Sequence, residues 1–398
     1  MNVHVAHRMS AKDAKTIARS LIPELQKRAL EAEDLRMAPR ESVELLMSHG
    51  LLTTIQPRSC GGQELSMRAH VDVLSSIAEG CAATAWVLGV MQAHSWLFGH
   101  LPEQAGRDVF GESGNVPVSA VIGPRGKAVK QADGTYTLNG FWPFASGNAH
   151  ADWLLLGAEV FDANGNKIDE ADFLVEKRQL EVLDDWFVAG LQGSGSSSVK
   201  AKDAHVPAHR MVSLPALLEN QTTPYNDPAA PELFKSQAGP VLGLCIASGA
   251  TGIARRALQE FTKMVQGKRV AYTAHVSHEW QPLQKICGES ASKIHAAVLI
   301  IYKVADDIDA YAKRGEKMPM ELRGRIRADI AMAPRLCRDA VIDLLTIGGA
   351  AGLSLKSPIQ LAARNLIANC MHGFLLYDSG MEIYGKILLG QDPGTPVI

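Results

Sequence analysis

Ser146 closes a short run, Phe141-Trp142-Pro143-Phe144-Ala145-Ser146-Gly147, in which two large flat rings and a hydroxyl stand at alternate positions. A turn signal, Asp133-Gly134, lies just upstream, so the run reads as a strand leaving a hairpin. Period-two alternation then puts Trp142, Phe144 and Ser146 on one face. Gly147 lets a partner approach the backbone closely. Such a face could form the floor for a flat heteroaromatic group, with a hydroxyl at its edge. The other reading is an aromatic strand packed in a core, with a serine at its end.

Other chemistry-bearing patterns fail. There is no G-x-G-x-x-G, no Walker A sequence and no G-x-S-x-G elbow. Ser290-Ala291-Ser292-Lys293 matches S-x-x-K, but its companion motifs are missing. His205 and His209 are four apart, yet Pro207 between them breaks the helix such a metal pair needs. His275 and His278 have no carboxylate or cysteine at ligand spacing and read as surface histidines. A metal enzyme is not expected.

The elements that must position these residues follow from composition and period. The chain has 398 residues, which allows two or three structural units, and is 46% hydrophobic, enough for a sizeable core. Its formal net charge is -2, with no long run of one sign. That argues against nucleic acid or an anionic membrane as partner. Cys60, Cys81, Cys245, Cys287, Cys337 and Cys370 are scattered, as suits reduced thiols in a cytosol. Residues 1–8 carry no apolar run of the kind a secretory signal needs, so a cytoplasmic location is expected. The longest uncharged stretch, 238–254, is rich in Gly, Ser and Ala and reads as a closely packed helix, not a membrane span.

Residues 1–115 read as an N-terminal helical domain. Between 116 and 222 the period changes to that of strands, with hairpins at Asp133-Gly134 and Asn164-Gly165, giving a central β-domain. Residues 217–236, with Pro224, Pro228 and Pro231, read as a surface connection. From 223 to 398 helical period returns as a C-terminal bundle. Ile294, Ala297, Val298, Ile301, Val304, Ala305, Ile308 and Tyr311 form one stripe, and Ile326, Ile330, Ala333, Leu336, Cys337, Ala340, Val341, Leu344 and Leu345 another. The fold class is α+β, with helices, strands and helices in that order.

Several segments, in order, carry a resemblance. Gly190 to Val199 (GLQGSGSSSV) followed by Asp203-Ala204-His205-Val206-Pro207 resembles the central β-domain of the acyl-CoA dehydrogenase fold. Trp142 to Gly147, Ala85-Trp86 with His94, Gly267-Lys268-Arg269, Ile347 to Gly352, and Arg364-Asn365 with His372 are more similar to the group D flavin-dependent monooxygenases built on that fold. These are oxygenase components of two-component systems that act on phenols, 4-hydroxyphenylacetate, dibenzothiophene and indole. Two departures stand out. Asn365 occupies a position where Asp is usual, which bears on a local ion pair. No carboxylate lies between Arg364 and Asp378, so the base that acyl-CoA dehydrogenases carry near Gly373 is missing.

The resemblance implies an acyl-CoA dehydrogenase-like α+β chain. It would use reduced FMN or FAD, with O2 as co-substrate, to hydroxylate a small aromatic through a flavin C4a-hydroperoxide. A separate NAD(P)H:flavin reductase would supply the cofactor, and the assembly would be a homotetramer. Ser146 would accept a hydrogen bond from the flavin ring, and Trp142 and Phe144 would shield it. His372 and His94 would do acid–base work on the substrate. Arg269 would contact the flavin phosphate, and Gly348, Gly349 and Ala350 would offer it backbone N–H groups. The rival readings are an acyl-CoA dehydrogenase or other flavin oxidase, and a non-catalytic helical scaffold that kept the fold.

Overall fold

The computed structural model describes residues 9–111 and 113–398; the rest of the N-terminus, read above for targeting, lies outside the described residues. The N-terminal part holds α1 (Ala11–Ser20), α2 (Ile22–Lys27), α3 (Ala29–Leu35), α4 (Arg40–Ser48), α5 (Met67–Gly80), α6 (Ala82–Leu97) and α7 (Glu103–Phe110). Ser10 and Ser66 start α1 and α5 by accepting the backbone N–H three residues on. Seven strands follow: β1 (Val118–Lys130), β2 (Tyr136–Trp142), β3 (Trp153–Phe161), β4 (Lys167–Glu176), β5 (Leu180–Val182), β6 (Val199–Val206) and β7 (Met211–Ser213). Then come α8 (Leu214–Leu218), α9 (Thr223–Asn226), α10 (Ala238–Ala247), α11 (Gly249–Met264), α12 (Gln281–Arg314), α13 (Met320–Ile347), α14 (Pro358–Asn369) and α15 (Tyr377–Leu388).

The strands make one sheet in the order β5-β6-β2-β1-β3-β4-β7. Only β1 and β3 pair in parallel; the other neighbours are antiparallel. Gly134 (φ 86°) and Gly165 (φ 85°) turn the two expected hairpins. β1 is one long strand with a bulge between Val121 and Gly126 where it meets β3. Alternation along β3 and β4 splits the side chains. Leu154, Leu156, Phe173 and Val175 fill the core of the β-domain, while Leu155 and Leu174 turn to the helices.

Most of both long stripes is buried, in α12 and α13, while Val298, Tyr311, Leu336 and Leu345 are only half-buried. The 238–254 stretch is not one helix but two, α10 and α11, meeting at Ser248. Ala238–Met264 is long and apolar enough to cross a membrane, but it is mostly buried inside the protein. The 217–236 segment departs from expectation. It is not a simple surface connection, because Leu217, Leu233 and Phe234 are buried. The Phe234 ring packs 6.3 Å from that of Trp96, and Gly99 makes room for it. Pro224 stands in the first turn of α9 and Pro231 caps a short helix, while Leu217, Leu233 and Phe234 are large and apolar enough to fill the core. Ser290 and Lys293 have structural partners, the Ala340 carbonyl and the Asp343 carboxylate. All six cysteines are free thiols, and no cluster of three or more metal-ligating side chains occurs among the described residues.

Candidate active site

Trp86 is the side chain around which the site is assembled. It lies on α6, an alanine-rich helix that can run close to its neighbours. At Gly89 a Cβ would lie only 2.6 Å from the Cys245 carbonyl of α10. The half-buried indole donates from Nε1 to Ser146 Oγ at 3.1 Å. Its ring meets the His372 imidazole edge-on, with centroids 5.6 Å apart. One side chain thus joins the β-domain to the turn that follows α14.

Ser146 is buried, and its hydroxyl is the outer end of a chain: Ser146 Oγ lies 2.6 Å from Ser196 Oγ, which lies 2.7 Å from Ser194 Oγ. A hydroxyl donates one hydrogen bond and accepts two. With the indole N–H taking one acceptor position, Ser146 keeps an acceptor free only when it donates inward to Ser196. The Ser146 carbonyl accepts from Ser119 Oγ at 2.9 Å, which fixes the backbone here to the start of β1.

The alternation expected for Trp142, Phe144 and Ser146 does not survive in the structure. β2 ends at Trp142, and Phe144 adopts φ 66°, so the chain turns and the three side chains part. Trp142 is wholly buried in the β-domain core, with Nε1 donating to the Gly157 carbonyl at 2.7 Å. Gly126 and Gly140 exist to hold that ring, since a Cβ on either would come within 2.5 Å of it. Trp142 is therefore not a cofactor floor. Phe144 is 63% exposed, with the edge of Trp186 against it. The exposed Phe144 ring still offers a flat face to a planar partner.

The two histidines hold opposite tautomers. His94, buried on α6, donates from Nδ1 to the Val118 carbonyl at 3.0 Å, which leaves the Nε2 lone pair free. Burial pushes its pKa down to about 4. His372 sits in the turn after α14. Its Nδ1 accepts from the Phe374 N–H at 3.3 Å, so the neutral ring carries its proton on Nε2. Crowding, then the nearby Arg327 cation, lowers its pKa to about 4, although the ring edge stays open to solvent. Arg327 itself holds the turn by donating to the Gly373 carbonyl at 2.8 Å and to that of Phe374. Val118 and Ser119 are neighbours on β1, so His94, Ser146, Trp86 and His372 form one connected set.

The loop before β6 is strapped to α14. Arg364 donates to the Ala189 carbonyl at 3.1 Å, and Asn365 Oδ1 accepts from the Leu191 N–H at 2.8 Å. Asn365 therefore serves as a neutral acceptor, while the ion pair of Arg364 is with Glu33, at 3.0 Å.

The expected phosphate residues lie apart from this set. Arg269 is exposed, on a small hairpin closed by a bridge to Val276, and makes no side-chain hydrogen bond or ion pair among the described residues. The N–H groups of Gly348 and Gly349 are already taken by the Leu344 and Thr346 carbonyls, so these two glycines cannot offer them to a phosphate. Ala350 starts the short helix that follows and is exposed. Gly348 packs on Phe261 and Met264, at the end of α11, five residues before Arg269.

Residues 6–108 match the acyl-CoA dehydrogenase N-terminal domain, and residues 244–376 match the acyl-CoA dehydrogenase C-terminal domain. The chain is 31% identical to the flavin-dependent monooxygenase oxygenase subunit HsaA of Mycobacterium tuberculosis, over 97% of this chain and 98% of that one. The chain belongs to the flavin-dependent monooxygenases of the acyl-CoA dehydrogenase fold. It is 27% identical to the p-hydroxyphenylacetate 3-hydroxylase oxygenase component of Acinetobacter baumannii, over 95% of this chain and 89% of that one. The structure of XiaF from a Streptomyces species, solved with FADH2 and glycerol, superposes with a TM-score of 0.92 at 27% identity, covering 98% of each chain. As a monooxygenase of this family the chain works with reduced flavin and O2. The exposed Phe144 ring offers a flat face, and the Ser146 hydroxyl an acceptor, of the kinds a flavin ring would use. When bound, the flavin activates O2 and supplies the two electrons of the reaction.

Sequence reasoning named Ser146, His94 and His372 as separate candidates, and the structure links them through Trp86 and the start of β1. The sequence reading assigned no role to Trp86 itself, to Ser194 and Ser196, or to Arg327. The run of serines at 194–198 was a visible signal. Nothing in the sequence marked Arg327, because its partners are backbone carbonyls.

Proposed function

We propose that the enzyme hydroxylates a small aromatic of phenol or indole type, using reduced FMN or FADH2 made by a separate NAD(P)H:flavin reductase. The carrying observation is the Trp86 indole, which holds the Ser146 hydroxyl on one side and abuts the His372 ring on the other. Relatives support the substrate class by their names: p-hydroxyphenylacetate 3-hydroxylase, FADH(2)-dependent resorcinol hydroxylase and indole-3-acetate monooxygenase. In balance, one oxygen atom of O2 enters an aromatic C–H bond. The other leaves as water, and the reduced flavin is oxidised.

The residues divide the work by what each nitrogen can do. His94 offers a lone pair on Nε2 and takes the substrate O–H or N–H proton. A pKa of about 4 makes it a weak base. That suffices, because the substrate proton becomes far more acidic as the ring gives up electrons to oxygen. His372 offers an N–H on Nε2 and donates to oxygen. Ser146, donating to Ser196, accepts from the flavin ring, and Phe144 and Trp86 keep water away. Arg269 and the Ala350 turn take the cofactor phosphate, in a homotetramer whose subunits share that contact. The dehydrogenase reading fails for want of a carboxylate: the turn near Gly373 offers backbone carbonyls, already held by Arg327.

The test feeds the purified chain with flavin reduced by an unrelated NADH:flavin reductase, in air, with phenol, resorcinol and indole in turn. Hydroxylated product from at least one is expected, together with no NADH oxidation by the chain alone. Hydrogen peroxide as the only outcome with every aromatic would overturn the reading.

A further inference from the structure

Behind Trp86 lies a narrow cleft walled by Leu74, Ala82, Ala85, Cys245, Ile253 and Asn369. Asn369 brings the only side-chain amide, and it is 2% exposed. Its Nδ2 donates to the Ile246 carbonyl at 3.2 Å, next to the break between α10 and α11. That bond fixes the amide, because turning it over would set two oxygens against each other. Oδ1 is left buried without a partner. A buried acceptor in this state is unfavourable, and a bound donor removes that cost. The free space is about that of one water molecule, so a hydroxyl or amino tip fits and a second ring does not. Asn369 also stands on the turn that carries His372, whose N–H bonds the Asn369 carbonyl. The amide is thus set in register with the proposed proton donor.

We propose that Asn369 Oδ1 is a specificity contact, selecting aromatic substrates that carry a second O–H or N–H donor away from the group handled by the histidines. The inference rests on the functional reading above. It excludes rings whose far substituent is a methyl or an ether, since these leave Oδ1 unpaired in an apolar wall. Rejection of an analogue that lacks a required donor is stronger than rejection of one that is slightly too large.

The experiment measures binding of resorcinol and 3-methoxyphenol to the flavin-free chain by equilibrium dialysis. The wild-type protein should prefer resorcinol by about tenfold. Asn369→Leu should level the two affinities, chiefly by weakening resorcinol. Equal affinities in the wild type, or a preference that survives in Asn369→Leu, would overturn the inference. The wild-type comparison decides even where the variant does not fold. Failure of both compounds to bind would overturn it too. Product formation from phenol and indole, assayed with reduced flavin, then shows separately whether the functional reading stands.

Discussion

Replacing Asp172 with asparagine should leave stability unchanged below about pH 4 and stabilise the protein increasingly from there to about pH 7. Asp172 stands in β4, opposite Gly157 of β3 and Val212 of β7, on the face that turns to the helices with Leu174. It is fully buried, and neither carboxyl oxygen finds a hydrogen-bond partner among the described residues. Burial raises its pKa from 3.8 to about 7, and the nearby Gly123 N–H, though it forms no full hydrogen bond, lowers it in part. Because the folded pKa lies above the unfolded one, the folded state binds the extra proton between these values. Stability from this group is therefore full below pH 4 and declines as pH rises to about 7, by about 1.4 kcal/mol per unit. The total is on the order of 4 kcal/mol at pH 8. Asparagine has nearly the same shape and carries no charge at any of these pH values. Urea unfolding followed by tryptophan fluorescence from pH 5 to pH 8 should show the wild type losing ground to Asp172→Asn across that range. Parallel stability curves for the two proteins would refute the reasoning, because they would mean that Asp172 is ionised or protonated alike in both states.

Ser146→Ala should keep flavin binding within about tenfold, the worth of one hydrogen bond, yet release more hydrogen peroxide per flavin oxidised; peroxide and product assays run together check it. His372→Ala should lower product formation by about 10²–10⁴-fold while O2 still oxidises the flavin, the magnitude of lost proton transfer. Because the His94 and His372 pKa values are lowered to about 4, both rings stay neutral until the pH falls through that value. Product formation should therefore show no histidine-linked loss between pH 8 and pH 6, and a fall centred near 6.5 would contradict the assignment. Gly190→Ala should destabilise by about 1–3 kcal/mol, since its Cβ would lie 2.2 Å from the Arg364 carbonyl, backbone against backbone; a thermal melt reads it.

The order of helices, strands and helices was legible in the sequence because period is a local property. The buried stripes of α12 and α13 and the hairpins at Gly134 and Gly165 needed only neighbours within a few residues. The same local rule misplaced Trp142. Alternation assumes that a strand continues, but β2 ends at Trp142, and Pro143 and Phe144 at φ 66° turn the chain away. Ser146 and the histidines were found through spacing and resemblance. Their protonation could not be, because Val118 and Phe374 decide it through backbone atoms. The Gly348 and Gly349 amides looked free in the sequence, and only the continuation of α13 shows that the helix itself uses them.

The sharing of Trp86 has an evolutionary consequence. One indole contacts the hydroxyl proposed to meet the cofactor, the imidazole proposed to meet the substrate and the cleft proposed to select it. Substitutions around it are in contact through a common partner, so their effects will not add. A lineage exploring new aromatics cannot widen the cleft at Trp86 without also loosening the Ser146 hydroxyl. New specificities should instead arise on the far wall, at Cys245, Ile253 and Asn369, where a side chain can change size without touching the hydroxyl chain.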